Sequence, residues 1–86
     1  MRAIKIGAVH AAQTEGGAIT WMIPLQRIIS VRWRGGTTTI RCEDGLVLEA
    51  DDPDMRVMME VEKAFEGDLG TYTIGDGWRY WYVDLD

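Results

Sequence analysis

The stretch IISVRWRGGTTTIRCEDGLVLEADDP, Ile28 to Pro53, decides the fold. Ile29, Val31 and Trp33 alternate with Ser30, Arg32 and Arg34, and after a break Thr38, Ile40 and Cys42 alternate with Thr37, Thr39 and Arg41. Successive side chains on a strand point to opposite faces, so a period of two sorts an apolar face from a polar one. Between the two runs, Gly35-Gly36 supplies residues that adopt positive φ without strain, as a tight two-residue hairpin turn requires. Glu43-Asp44-Gly45 is a second turn, and Leu46 to Ala50 returns as a third strand. Residues 28–50 are therefore expected to form a three-stranded meander.

Asp52-Pro53 marks the change to helix. Proline at a first helical position has its φ already set, and the aspartate before it can accept hydrogen bonds from the free amides of the first turn. Val57, Met58, Val61, Ala64 and Phe65 fall at the spacing that buries one helical face, and Gly67 is a natural stop. The predicted helix covers residues 53–66 and lies across the sheet.

Upstream, Ile4, Ile6, Ala8 and His10 alternate with Lys5, Gly7 and Val9, which predicts a strand from Ala3 to His10. Gly16-Gly17 ends the following loop, a second strand runs roughly over residues 18–23, and Pro24 closes it because proline cannot serve a central ladder. Downstream, residues 71–74 and 78–85 flank Gly75-Asp76-Gly77 and read as a last hairpin within residues 70–86. In that hairpin Trp81, Val83 and Leu85 share the core face, with Trp78, Tyr80 and Tyr82 opposite. The expected fold class is α+β: one domain with a curved antiparallel sheet of about six or seven strands and a single helix packed on it. From about residue 20 to 66 the order of strands, turn, acidic step and helix is similar to small flagellar proteins of the FlbD type, and what that resemblance implies is the strand-to-helix order alone.

The 86 residues carry a net charge of -5, which hides a division along the chain. Residues 1–42 hold six cations against Glu15, whereas residues 43–86 hold three against thirteen acids. A molecule with one basic and one acidic face follows if folding keeps the halves apart. No apolar run approaches the ~18 residues that a membrane span needs, and the N-terminal stretch alternates rather than forming a signal core, so no membrane partner and a cytoplasmic location are expected. A lone cysteine agrees with a reducing compartment.

Chemistry finds little material. Nucleophilic catalysis needs a nucleophile beside a base, and the supply is Cys42, His10 and Ser30. Cys42 alternates with Ile40 and His10 ends an apolar strand face, so both are expected to be structural. Asp51, Asp52 and Asp54 lack the alternating ligands, central glycine and terminal glutamate of a calcium loop, and helix capping accounts for them. The glycine pairs sit in hairpin turns, and none leads from a strand into a helix at phosphate-loop spacing. No catalytic residue, metal or cofactor is expected, and the chain is not read as an enzyme.

Surface remains. Four Trp and three Tyr are many for this length, and such residues anchor protein interfaces. The stripe of Trp78, Tyr80 and Tyr82, with Arg79 among them, is either an exposed set of anchors or core. The acids Glu43, Asp44, Glu49, Asp51, Asp52 and Asp54 crowd one turn, one strand end and the helix start, where they would suit a partner whose own surface is a basic nucleic-acid-binding one. The expected function is a non-catalytic protein-binding module, a small regulator or inhibitor of a larger protein or assembly, binding through Trp78, Arg79, Tyr80 and Tyr82 with Asp51, Asp52 and Asp54 steering the encounter. As a broad class, a small, acidic, aromatic-rich chain resembles phage-encoded inhibitors of bacterial defence nucleases. The alternative is nucleic-acid binding through Arg27, Arg32, Arg34 and Arg41 of the 27–41 hairpin, since two-stranded ribbons can carry cations to phosphates. Unpaired strands at the sheet ends leave a homodimer open.

Overall fold

The computed structural model describes residues 2–12, 17–67 and 70–85. Gly16, Glu15, Asp68 and Asp86, which enter the loop, charge and hairpin expectations above, lie outside them. Among the described residues, six strands form one curved sheet: β1 (Arg2–His10), β2 (Ile19–Pro24), β3 (Ile28–Arg34), β4 (Thr37–Cys42), β5 (Leu46–Asp51) and β6 (Gly70–Tyr82). One helix, α1 (Arg56–Glu66), connects β5 to β6. The spatial order is β2-β1-β6-β5-β4-β3, so α+β is the class of the fold.

The meander of β3, β4 and β5 has the predicted antiparallel pairings, with Val31 opposite Ile40 and Ile40 opposite Leu48. Gly35 and Gly36 have φ of 58° and 83°, the conformation that a two-residue turn asks of them. β2 is an edge strand, the place where Pro24 costs no ladder bond.

Two expectations about strand pairing need correction. The sheet is mixed, because β6 runs parallel to β1 and antiparallel to β5. The last hairpin does not exist: residues 70–82 are one continuous strand, and Gly75-Asp76-Gly77 is a bulge within it. Lys5 pairs with Thr73 and Ala8 with Trp78, so β6 uses two more residues than β1 over that interval. Gly75 and Gly77, at φ of 107° and 84°, absorb the excess as a bend instead of a reversal.

The pairing of β6 with β1 and β5 decides which face of the aromatic stripe is inner. Tyr80 lies opposite Leu48, and Trp78 beside Ala8, both on the inner face. Trp78 is 1% exposed and Tyr80 7%, whereas Trp81 sits outward with Val47. The stripe of Trp78 and Tyr80 is therefore core, the reverse of its expected placement opposite the core: the two inserted residues preserve the alternation, so both stay on the face of buried Ile74, which the pairing with β1 and β5 turns inward. Tyr80 is the hub of an aromatic cluster, meeting His10, Trp21 and Tyr82 edge-on at centroid distances of 5.2, 5.3 and 6.2 Å.

A short connector shows how strongly the sheet is rolled. β2 and β3 are its two edges, yet only the 3-10 turn Leu25–Arg27 joins them. Six flat strands at ~4.8 Å spacing would hold those edges about 24 Å apart, and four residue steps reach only about 14 Å. The sheet must curl until its edges approach. Its concave interior holds Ile4, Ile6, Ile40, Leu48 and Trp78, all at most 1% exposed.

α1 packs on β1, β6 and β3 through Val61 and Ala64, which are fully buried. It starts at Arg56, three residues later than Pro53, because Asp52 caps it from a distance. The Asp52 main-chain carbonyl accepts from the Met55 amide at 3.2 Å, and Met55 takes a left-handed φ of 60°. The carboxylate then accepts from the amides of Val57 and Met58 at 3.1 and 2.9 Å and from the Thr38 hydroxyl at 2.9 Å. At the other end, the Arg2 guanidinium donates to the carbonyls of Phe65 and Gly67, where a cation is favoured by the helix dipole.

Candidate functional site

An open groove between β3 and α1 is the clearest apolar surface. β3 is a sheet edge, so one row of its backbone groups has no strand partner. Ile28 pairs with Cys42 and Ser30 with Arg41, so β3 advances two residues while β4 advances one, and Ile29 is the bulged residue between them. The bulge turns Ile29 out of the core, and it is 64% exposed. Across from it, α1 presents Met58, Val61 and Phe65 on one stripe. Ile28, Ile29, Val31, Met58, Val61 and Phe65 line a groove of about 280 Å³, with Ser30 and Glu62 at its polar margins. Phe65 is 38% exposed, so the groove stays open at the end of the helix.

Periodicity places Phe65 with the buried helical residues and Ile29 in the core-facing alternation of β3, so it does not single out the groove. The doublet Ile28-Ile29 is the readable clue, because it breaks the period of two just where the bulge occurs. A helix stripe ending in Phe rather than a small residue is the second.

The expected partner-binding residues are not brought together. Trp78 and Tyr80 are buried, and Tyr82, 56% exposed, stands at the end of β6. Arg79 is on the outer face, where its guanidinium meets the Glu49 carboxylate at 3.0 Å. Asp52 is 3% exposed and wholly engaged in holding the helix start, whereas Asp51 and Asp54 are exposed on either side of it. Burial pushes the Asp52 carboxyl up, but hydrogen bonds from the Met58 and Val57 amides, the Thr38 hydroxyl and the Arg56 amide outweigh it and hold it below the ordinary aspartate value.

Three of the four cations in the alternative set do converge. Arg32 lies opposite Thr39, Arg34 opposite Thr37, and Arg41 opposite Ser30, all pointing outward and exposed. Arg27 sits apart on the 3-10 turn, beside a cavity of about 260 Å³ lined by Trp21, Cys42 and Asp44.

His10 and Cys42 are on β1 and β4, with β6 and β5 between them. Burial, aided by the charge of Asp44, pushes the Cys42 thiol up to about 11, so it carries little thiolate at neutral pH. Among the described residues, no group of three or more His, Cys, Asp or Glu side chains is placed to hold a metal ion. No helix among the described residues is long and apolar enough to cross a membrane. No family model, no curated protein and no solved structure matches the chain, so the geometry of these surfaces is the ground on which a function is argued.

Proposed function

We propose that the chain is a non-catalytic protein-binding module, a small regulator or inhibitor, which captures its partner in the groove between β3 and α1. The observation that carries this is the exposure of Ile29 and Phe65 beside a preformed apolar groove. A soluble chain gains nothing from leaving such residues in water, and contiguous exposed apolar surface commonly marks an interaction site. Glu60, Glu62 and Glu66 are exposed on the same helix, so the fitting partner is a segment with apolar anchors flanked by lysine or arginine. The open edge of β3 from Val31 to Arg34 offers backbone groups to an extended segment, and the Ile29 bulge sets where that pairing ends. A cytoplasmic setting suits the lone, buried Cys42.

Quantitative affinity capture from the native host tests this with three proteins: the natural chain, an Ile29→Glu/Phe65→Glu variant and a Tyr82→Ala variant. The expected result is one partner, retained by Tyr82→Ala and lost by the groove variant while its circular dichroism stays native. Equal capture by all three would overturn the assignment of the groove.

A further inference from the structure

The outer face of the sheet is chemically distinct from the groove, and we infer that it is a binding platform for the phosphate backbone of single-stranded nucleic acid, centred on Arg32 and Arg41. These two are diagonal neighbours on adjacent antiparallel strands, a relation that sets Cβ atoms about 7–8 Å apart. Each faces a hydroxyl residue across the ladder, Thr39 for Arg32 and Ser30 for Arg41. Together with Val31 the four line an outer hollow of about 340 Å³. Two guanidinium groups and two hydroxyls around one hollow supply the donors that a phosphate diester's oxygens accept from. Arg34 stands two residues beyond Arg32, roughly 6.6 Å along the strand, where it meets a neighbouring phosphate.

Charge complementarity is what selects this occupant. The chain has an excess of acids, yet among the described residues neither Arg32, Arg34 nor Arg41 has a carboxylate partner. Arg79, on the same face, is neutralised by Glu49. Glu49 and Asp51 stand on β5 in the rows of Arg32 and Arg34, with Glu49 paired to Arg79, so in a protein of pI near 4.7 the three unpaired guanidinium groups concentrate positive potential on the β3–β4 side of this face. Single strands fit better than duplex for two reasons. The rolled sheet is convex on this side, which a rigid duplex touches over only a short arc. Trp81, half-buried, lies in the same cross-strand row as Arg41 and Val47 and offers a ring to a base. Ser30 and Val31 line both the platform and the groove, and Ile29 shares a further hollow with Ser30 and Arg41, so the groove is perturbed independently of the platform from its α1 side.

Fluorescence anisotropy with labelled oligo-dT of about twenty nucleotides, titrated from low to moderate salt, tests it. Three phosphate contacts give a slope of log affinity against log salt near -2 for a single strand. In the Arg32→Gln/Arg41→Gln variant, which keeps much of each aliphatic stem, affinity falls about tenfold or more and the slope shrinks by about 1.4. The Phe65→Glu variant, changed on α1 alone, binds oligo-dT with a comparable slope, which separates this site from the groove. The inference is overturned by absence of binding at low salt, by unchanged binding in the glutamine variant, or by equal or tighter binding of a duplex of the same length. Equal binding of a polyglutamate peptide of matched charge overturns it as well, since it would reduce the face to a generic anion attractor.

Discussion

Replacing Asp52 with alanine is the most severe single polar change that the structure points to. The carboxylate is 3% exposed and accepts from two helix amides and the Thr38 hydroxyl. Loss of a helix cap alone costs about 0.5–2 kcal/mol. Hydrogen bonds to a charged acceptor are worth about 1.5–3 kcal/mol each, and the fully buried Thr38 hydroxyl would be stranded without its acceptor. Because the bonds share one group, these effects do not add in full, and a total of about 3–5 kcal/mol is expected. For a chain of this size each kcal/mol shifts the melting temperature by about 4–8 °C, so Asp52→Ala melts roughly 15–30 °C lower. Urea denaturation supplies the free energy directly. Thr38→Val on the alanine background should restore part of the loss, since it removes the orphaned hydroxyl. An Asp52→Ala protein within 1 kcal/mol of the natural chain would refute the view that this residue holds α1 to the sheet.

The same residue sets an acid limit. Its folded pKa is lowered, so its contribution to stability is whole above the ordinary aspartate value of about 3.9 and disappears as pH falls through the depressed folded value; urea midpoints should drop there in the natural chain and less in Asp52→Asn. Trp78→Ala should cost about 3–5 kcal/mol and unfold a marginal domain, whereas Tyr82→Ala, 56% exposed, should leave the melting temperature nearly unchanged, and a calorimetric comparison decides it. Gly45→Ala places a methyl 2.5 Å from the Val83 carbonyl oxygen at a φ of +88°, so it should destabilise by about 2 kcal/mol or more, while Gly35→Ala, in open space, should cost about 1 kcal/mol in the same urea assay. Cys42, with its thiol near 11, should resist iodoacetamide at pH 8 in the native state and react promptly in denaturant, as read by mass spectrometry.

What was legible in the sequence follows from how local each signal is. Strand alternation and glycine-pair turns are nearest-neighbour properties, so the meander from Ile28 to Ala50 could be read residue by residue. The caps of α1 were partly readable: Asp52 was recognisable as the acceptor, but the turn closed by its carbonyl and the Met55 amide delays the helix to Arg56, and the capping carboxylate is bonded by Thr38, fourteen positions away. The parallel pairing of β1 with β6 joins the two ends of the chain, and no local pattern encodes it. The glycines at 75 and 77 look the same in a turn and in a bulge; only the neighbouring strand decides which they are. The strands on either side of β6 also decide which of its two faces is inner, and that placed Trp78 and Tyr80 with Ile74 in the core and removed them from the expected binding surface. The groove was hidden for a related reason, since Ile29 and Phe65 have the periodicity of core residues and are exposed only because an edge bulge and a helix end stop short of covering them.

Site-specific photo-crosslinking tests the central claim, that the groove between β3 and α1 captures a protein partner, most directly. A photoreactive phenylalanine analogue is placed at Phe65, at Ile29 and, as an outer-face control, at Thr73, and irradiated in extracts of the native host. A discrete protein adduct, the same from Phe65 and Ile29 and absent from Thr73, is the predicted result. An adduct from Thr73 alone, or none from either groove position, would contradict it.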